Sequence, residues 1–382
     1  MEFKKLQDKC RGALVGGAVG DALGYEVEFL SLESILKKFG KDGITRYSLN
    51  HSNRTALFSD DTQMSLFTLE GMMNGIVATK AGPAEGILPY IKDSYLNWLK
   101  TQTEKPHSMP DSWIGYLKTL WSRRAPGMTC LSALDTLANG GKVKNDSKGC
   151  GGVMRVAPIG IFNAAHPHIY SYKDTALLAG NAAEITHKHF ASTLASALLA
   201  TTVENCISDE TVDRMQLYFI ITGGLMMMQE YFPGHEEEIR EFRTLMETAM
   251  EMGKSNVPER EAIARLGEGW VGDEALAIAV FAAMRHIDNF EKCMVCAVNH
   301  DGDSDSTGAI AGNIIGAILG YSAIPRHFLE DLEIEPVLVS LADDLCADIH
   351  IPEVNLRIGN RYVRHLPAAV SPDYLIDSYI PL

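Results

Sequence analysis

The sequence predicts a single all-α domain. Hydrophobic residues make up 46% of the 382 residues, which is ample for a large buried core. Several long segments carry apolar residues at helical spacing, whereas strand signals are weak. Neither an internal repeat nor a low-complexity linker divides the chain. The sequence therefore predicts one helical core followed by a C-terminal extension of about 30 residues.

Helical periodicity recurs along most of the chain. It covers residues 6–24, 62–73, 176–207, 215–232, 237–252, 273–287 and 306–319. In the first of these segments, Gly12, Gly16 and Gly20 lie four residues apart and share one face, so a second helix can approach closely. Weak strand candidates are residues 43–48 and 360–366, and predicted loops are residues 105–113, 139–152 and 352–355.

The charge and the cysteines of the chain bear on its partners and its location. The net charge of −15 repels nucleic acid phosphates and anionic membranes, so neither is expected as a partner. Seven scattered cysteines do not form a disulfide framework, which favours a cytoplasmic location. The N-terminus has no apolar stretch typical of a signal peptide, and no uninterrupted apolar run reaches about 18 residues, so no membrane span is predicted.

The segment Phe58-Ser59-Asp60-Asp61-Thr62 places two adjacent carboxylates at the predicted start of a helix. Neighbouring side chains on a helix diverge by about 100°, so both carboxylates can point the same way only at a helix start or in a loop. Ser and Asp also cap helices, because they accept hydrogen bonds from the free amides of the first turn. Taken alone, this segment is compatible with a cap or with a binding site.

A second acidic segment, residues 300–308, also precedes an apolar helical run. Asp303 and Asp305 flank a serine, and two further hydroxyl residues follow them. Carboxylates at this spacing, together with hydroxyl oxygens, suit a hard cation, although a capped helix start after an acidic turn is again an alternative. The segment does not have the glycine and glutamate positions of an EF-hand loop.

The two acidic segments are more informative together than apart. Four carboxylates and two hydroxyls at helix N-termini could bind two divalent cations side by side, which would activate a water molecule and orient substrate hydroxyls. Neither segment offers a soft ligand. Mg²⁺ or Mn²⁺ is therefore expected rather than Zn²⁺.

Three further features are weaker. Residues 145–155 contain several glycines, which let a backbone approach a phosphate but are also common in ordinary loops. His187 is predicted to lie on a helix, where a histidine is more often a satisfied core group than a ligand. The pair Cys293 and Cys296 has no second cysteine pair nearby and is interpreted as a helical face rather than a zinc or redox motif.

Six segments in order along the chain together resemble the ADP-ribosylglycohydrolase family. They are residues 11–29, 59–62, 147–155, 186–187, 267–276 and 302–306. The resemblance implies a domain over residues 1–347, folded as an orthogonal helical bundle with a central binuclear Mg²⁺ or Mn²⁺ site, and a C-terminal extension over residues 348–382. The implied activity is hydrolysis of the N- or O-glycosidic bond between ADP-ribose and a protein side chain, with arginine as the expected side chain.

The same resemblance implies roles for individual residues. The implied metal ligands are Ser59, Asp60, Asp61, Asp303, Asp305 and Ser306. The implied catalytic residues are Glu28, which would be a mobile acid over the cleft, and Asp60, Asp61 and Asp303. The implied substrate-binding residues are Ser147, Gly149, Cys150, Gly151, His187 and Trp270.

This sequence departs from the family pattern at two positions. The family often has Asn where Cys150 stands, which could alter a contact with the distal ribose. It usually has Gly where Asp301 stands, and Asp301 is interpreted as a turn residue, with tuning of the metal charge as the alternative.

Other functions remain open at this stage. They are a non-catalytic ADP-ribose or nucleotide-binding regulator, a hydrolase of serine-linked or small-molecule conjugates, and a two-metal phosphohydrolase that cleaves the pyrophosphate. The intact carboxylates argue against a role in binding alone. The expected partners are an ADP-ribosylated protein as substrate and ADP-ribose as product.

Overall fold

The computed structural model describes residues 1–50, 54–109 and 111–347, and within them the protein is built from helices. The helices are α1 (Phe3–Tyr25), α2 (Leu32–Phe39), α3 (Asp60–Thr79), α4 (Leu88–Thr103), α5 (Met128–Ala138), α6 (Ala157–Ala165), α7 (Tyr172–Glu184), α8 (Phe190–Ser208), α9 (Arg214–Tyr231), α10 (Glu236–Lys254), α11 (Glu259–Leu266), α12 (Gly272–Arg285), α13 (Phe290–Val298), α14 (Ser304–Leu319), α15 (Arg326–Asp331) and α16 (Glu335–Cys346). The predicted all-α fold is confirmed.

Most of the predicted helical segments correspond to one helix each. They are α1, α3, α9, α10, α12 and α14. The periodicity does not predict α2, α4, α5, α6, α11, α15 and α16, most of which have only 6 to 12 residues. So few turns give a weak periodic signal.

The weak strand candidate at residues 43–48 is not a strand, and the described residues contain only isolated bridges. Residues 352–355 and 360–366, and the extension at 348–382, lie outside the described residues.

The predicted helix over residues 176–207 is wrong in one respect. Two helices, α7 and α8, cover this region, and residues 185–189 between them are not helical. Polar contacts from other elements replace the helical bonds there. The Arg155 guanidinium donates to the Thr186 hydroxyl at 2.7 Å, and the Asn145 side chain donates to the Thr186 carbonyl at 2.8 Å. Contacts between distant segments therefore override the local helical preference, and His187 is a loop residue rather than a helical one.

The centre of the core contains α1, α8, α12 and α14, each buried along most of its length. One of them, α8, is long and apolar enough to span a membrane by length and composition. However, 89% of that stretch is buried inside the protein, as is usual for the central helix of a helical core.

The antiparallel helices α1 and α14 approach each other so closely that their backbones touch. A Cβ atom on Gly20 would lie 1.9 Å from the Gly308 carbonyl oxygen, and one on Gly312 would lie 2.0 Å from the Gly16 carbonyl oxygen. No side chain fits between two backbones at such a separation. The predicted glycine face of the first helix therefore packs against a second glycine face on α14, and this contact brings the end of α1 to the start of α14.

Candidate active site

The two acidic segments meet at a cavity of about 320 Å³. The carboxylates that line the cavity are Glu28, Asp60, Asp61, Asp303 and Asp305. The other predicted site residues that line it are Gly149, Cys150, Gly151, His187, Trp270 and Ser306. A larger cavity of about 550 Å³ lies between α7, α8 and α9 and contains none of the predicted site residues.

Asp21, near the end of α1, fixes the start of α3. Its Oδ1 accepts a hydrogen bond from the Ser59 amide at 2.8 Å, and its Oδ2 accepts from the Thr62 amide at 2.9 Å and from the Thr62 hydroxyl at 2.5 Å. The Asp21 side chain is fully buried. Because these bonds satisfy amides of the first turn of α3, they orient that turn towards α14. Asp60 and Asp61 stand on this turn.

Asp60 and Asp61 are buried with little compensation for their charge. The Gly127 amide donates to Asp60 Oδ2 at 3.1 Å, but Asp61 Oδ2 has no hydrogen-bond partner among the described residues. Burial raises the pKa of Asp60 to about 8. Burial, and then the charges of neighbouring carboxylates such as Asp21, raise the pKa of Asp61 well above its usual range.

The start of α14 supplies the other carboxylates. Asp303 caps this helix, since its Oδ1 accepts from the Ser306 amide at 3.2 Å. The Cys150 thiol lies 2.6 Å from the other oxygen of Asp303. Burial and the charge of Asp303 raise the pKa of this thiol, so Cys150 is a proton donor to the carboxylate rather than a thiolate. Burial and the neighbouring Asp61 raise the pKa of Asp305 as well.

This arrangement fits divalent cations. The carboxylates offer only oxygen atoms, which Mg²⁺ and Mn²⁺ prefer. The unpartnered buried oxygens are Asp61 Oδ2 and Glu28 Oε2, and an unpartnered charge in such a position is costly for the protein. Bound cations would satisfy Asp61 Oδ2, and they would bring the pKa values of the aspartates that bind them back towards their usual range.

The metal-free protein is expected to lose stability between about pH 6.5 and pH 8, by up to about 1.4 kcal/mol per pH unit for each such carboxylate. The pKa of Asp60 is raised from 3.8 to about 8, so the folded protein keeps a proton that the unfolded chain has released. Buried His187, whose pKa is lowered to about 3, makes the protein more stable as the pH rises. This opposite effect is confined to pH values below 6.5, the usual pKa of a histidine. Thermal unfolding with chelator across this range measures the effect. Mg²⁺ or Mn²⁺ should remove much of it, and a melting temperature that rises with pH in chelator would contradict it.

Glu28 lies in the turn between α1 and α2 and is buried, although its neighbour Phe29 is 72% exposed. Burial, and then the charges of Asp303 and Asp60, raise the pKa of Glu28 to about 9. The Phe29 ring stacks on the Trp270 ring at a centroid distance of 6.1 Å. This stack places an aromatic rim beside a carboxyl group that is protonated at neutral pH in the absence of metal.

Asp301 does more than occupy a turn. Its Oδ1 accepts a hydrogen bond from the Leu32 amide at 2.8 Å, which joins the loop before α14 to the first residue of α2. The turn that carries Glu28 ends at this point. Asp301 does not line the cavity, and the geometry therefore indicates a role in holding the Glu28 turn.

Replacing Asp301 with alanine is expected to lower kcat about fivefold, because a hydrogen bond of this kind contributes about 1 kcal/mol. Metal affinity should change little. The matched variant Asp301→Asn keeps an acceptor oxygen and should retain most of the activity. Steady-state kinetics and metal titration of both variants test this, and an equal loss of metal affinity would show instead that Asp301 acts on the metal centre.

His187 presents an N–H group to the cavity. The Thr186 hydroxyl accepts from Arg155 at 2.7 Å and lies 2.9 Å from His187 Nδ1. Because a guanidinium can only donate and the Ala183 carbonyl lies 3.5 Å from the Thr186 hydroxyl, Nδ1 is the better-placed acceptor of the Thr186 proton, and this assigns the ring proton to Nε2. Burial and the charge of Arg155 lower the pKa of His187 to about 3, so the ring stays neutral. Nε2 lies 3.0 Å from the position that a Cβ atom on Gly149 would occupy.

The glycine-rich loop offers fewer free amides than its composition indicates. The Gly149 amide donates to Ser147 Oγ at 3.3 Å, and the Cys150 amide donates to the Trp270 carbonyl at 3.2 Å. A Cβ atom on Gly151 would lie 2.9 Å from Cys130 Sγ and 3.0 Å from His187 Cε1. The glycines are thus required by packing around His187 as well as by any ligand.

Two predicted residues do not line the cavity. Ser59 is fully buried, and its side chain caps α3 by accepting from the Asp61 amide. The Ser147 hydroxyl lies 3.1 Å from the Thr129 hydroxyl and supports the glycine-rich loop. Conversely, the sequence interpretation assigned no role to Asp21, although a charged residue within an apolar, glycine-rich helix was a usable signal.

The segment before α5 was also missed, and no motif marks it. Ala125, Pro126 and Gly127 line the cavity. The segment is held in place by Arg124, whose carbonyl accepts from the Asp60 amide and whose guanidinium lies 2.6 Å from Glu333 in a buried ion pair.

Comparisons with known proteins point to one family. The family described as ADP-ribosylglycohydrolase matches residues 3–353. The ADP-ribosyl-(dinitrogen reductase) glycohydrolase of Rhodospirillum rubrum is 24% identical over 88% of this chain and 94% of its own length. The ADP-ribosylarginine hydrolase Tri1 of Serratia proteamaculans is 25% identical over 88% of this chain and 79% of its own length.

One solved structure has the same fold. It is described as an ADP-ribosylglycohydrolase-related protein complex, and it aligns with a TM-score of 0.62 and 24% sequence identity. The alignment covers 90% of this chain and 98% of the other.

Proposed function

This chain belongs to the ADP-ribosylglycohydrolase family, and on that premise we propose that it removes ADP-ribose from arginine side chains of modified proteins with two Mg²⁺ or Mn²⁺ ions. Family membership supports the broader activity, hydrolysis of ADP-ribose conjugates with divalent metals. The choice of arginine, the number and identity of the ions, and a cytoplasmic location are part of the proposal. The observation that carries it is the set of buried, uncompensated carboxylates around one cavity.

The charge balance of the cavity favours a positively charged leaving group. Five carboxylates line it. Two divalent cations would balance the charges of the four aspartates, and Glu28 becomes negatively charged when it gives up its proton. The guanidinium of an arginine is permanently positive and could balance the remaining charge, whereas the hydroxyl of a serine is neutral. The exposed rings of Phe29 and Trp270 at the rim also suit a guanidinium, which stacks on aromatic faces. The name of the Serratia relative points in the same direction.

The proposed metal ligands are Asp60, Asp61, Asp303 and Asp305, with Ser306 beside them. Ser59, also predicted as a ligand, has its side chain engaged in the cap of α3. When bound, the cations would supply positive charge that orients the ribose hydroxyls and makes a water molecule more acidic.

The remaining residues have roles in binding and proton transfer. The carboxyl group of Glu28 can give its proton to the guanidino nitrogen as the glycosidic bond breaks, because burial keeps it protonated. A water molecule would form the new bond to the anomeric carbon of the ribose, and the Glu28 carboxylate would take up the proton that this water releases. The Nε2–H group of His187 can donate to a phosphate or ribose oxygen without competing for protons, because the ring is neutral. The rings of Phe29 and Trp270 limit the access of water on the side of Glu28.

The direct test is the release of ADP-ribose from a protein modified on arginine, measured with Mg²⁺, with Mn²⁺ and with chelator. We expect metal-dependent release. The matched comparison is the same protein modified on serine, for which we expect release at least about 10-fold slower, equivalent to about 1.4 kcal/mol.

Each alternative predicts a different outcome. Equal or faster release from serine would overturn the choice of arginine. AMP in place of ADP-ribose would identify a phosphohydrolase. Binding of ADP-ribose without release from either substrate, in protein loaded with metal, would point to a regulator or to a hydrolase of small-molecule conjugates.

A further inference from the structure

Three side chains with metal-binding atoms converge at a corner of the fold formed by α11, α12 and α13. Glu259 is the first residue of α11, His286 follows the last residue of α12, and Cys296 lies on the inner face of α13. One ligand atom from each lies within 4.8 Å of the others. Within this set, His286 Nε2 lies 2.8 Å from Glu259 Oε1. None of these residues lines the cavity described above.

From this geometry we propose that Glu259, His286 and Cys296 form a second metal site, which binds a Zn²⁺-class cation. An imidazole nitrogen, a carboxylate oxygen and a sulfur are the donors that Zn²⁺ uses in proteins, in sets of three or four. The acidic cavity has a different donor chemistry, since its carboxylates offer only hard oxygen atoms. The corner is therefore expected to favour Zn²⁺ over Mg²⁺.

Accessibility of the corner allows a cation to enter. The side chains of Glu259 and His286 are 40% and 17% exposed, so they face solvent, whereas Cys296 is 4% exposed and closes the inner side. Three protein ligands with one side open leave room for a water molecule as the fourth ligand, as in zinc sites with an open position.

The neighbouring charge does not block the site. Arg285 is the nearby cation, and its guanidinium donates to the carbonyl oxygens of Gly253, Val257 and Met252. These bonds hold the guanidinium at the helix ends. Burial and the charge of Glu259 raise the pKa of the Cys296 thiol, so metal binding at this corner would release the thiol proton.

A cation at this corner would crosslink three helices. It would join the start of α11, the end of α12 and the last turn of α13, and α12 begins two residues after Trp270 at the cavity rim. Because such a site exists only in the folded chain, binding would add to the stability of the fold. The sequence spacing of Cys293 and Cys296 does not indicate this site, because the partners of Cys296 come from two other elements.

The test uses the full-length protein, stripped with chelator, kept in excess Mg²⁺ and titrated with Co²⁺. Bound Co²⁺ is expected to give a sulfur-to-cobalt charge-transfer band. Added Zn²⁺ should displace the Co²⁺ and abolish this band. Variant Cys296→Ser should lose the band, and Glu259→Gln and His286→Asn should weaken Zn²⁺ binding at least about 10-fold. The matched controls are Cys293→Ser, in the same helix as Cys296, and Cys150→Ser, beside Asp303. Both should keep the band.

The possible outcomes separate the sites. The absence of a band in the original protein would overturn the proposal. A band that survives Cys296→Ser but is lost in Cys150→Ser would also overturn it, because the thiolate that binds Co²⁺ would then belong to the acidic cavity. If Cys296→Ser does not fold, the partly exposed Glu259 and His286 variants decide the question, and unchanged Zn²⁺ affinity in both would overturn it. The readout does not depend on hydrolysis, so it stands apart from the proposed function.

Discussion

Replacing Asp303 with alanine or asparagine is expected to abolish metal binding and to lower kcat/KM by at least about 100-fold, since the loss of residues that only support metal ligands already costs 10- to 100-fold. Asp303 lines the cavity at the start of α14 and is buried. The asparagine keeps an oxygen that can accept from the Ser306 amide, so the helix cap survives while the charge is lost. Metal content after dialysis and the rate of ADP-ribose release measure the effect.

The matched control for this prediction is Asp213→Asn. Asp213 caps α9 with the same geometry, since its Oδ1 accepts from the Gln216 amide at 2.8 Å. It does not line the acidic cavity, so the variant should keep both metal and activity. Full turnover with normal metal content in Asp303→Asn would show that the proposed site is wrong.

Replacing Gly20 with alanine is expected to cause the largest loss of stability, about 3 kcal/mol, at the upper end of the usual cost of overpacking a core. The new Cβ atom would lie 1.9 Å from the Gly308 carbonyl oxygen, and no change of rotamer can relieve a contact with backbone. Helices α1 and α14 would have to separate. Because Asp21 lies on one and Asp303 caps the other, metal affinity should fall as well.

Variant Gly223→Ala controls for the effect of replacing a helical glycine with alanine where no backbone lies close by. Gly223 lies in α9, and a Cβ atom there would meet nothing within 4 Å. Alanine is a better helix former than glycine, so this variant should be as stable as the original protein or more stable by up to about 1 kcal/mol. Chemical and thermal unfolding of both variants give the comparison. Equal stability of Gly20→Ala and the original protein would mean that the backbones of α1 and α14 are not in contact.

Local chemistry accounts for what could be predicted at the site. Two acidic helix starts with hydroxyl residues indicated oxygen ligands and a hard cation, and the structure brings both starts to one cavity. The caps that sequence interpretation offered as an alternative are also present, since Ser59 and Asp303 both cap their helices. Capping and lining a cavity turned out to be compatible for Asp303, because one carboxylate oxygen caps the helix and the other faces the Cys150 thiol.

The sequence by itself determined the helical class of the fold, the glycine face of α1 and the oxygen chemistry of the acidic segments. These features depend on residue type and on spacings of a few residues, which periodicity reports directly. The tertiary structure alone decided the break that places His187 in a loop, the bonds from Asp21 to the start of α3, the bond from Asp301 to Leu32 and the meeting of Glu259, His286 and Cys296. Each of these joins residues from separate elements. Their positions follow from how closely helices such as α1 and α14 pack, which no local pattern encodes.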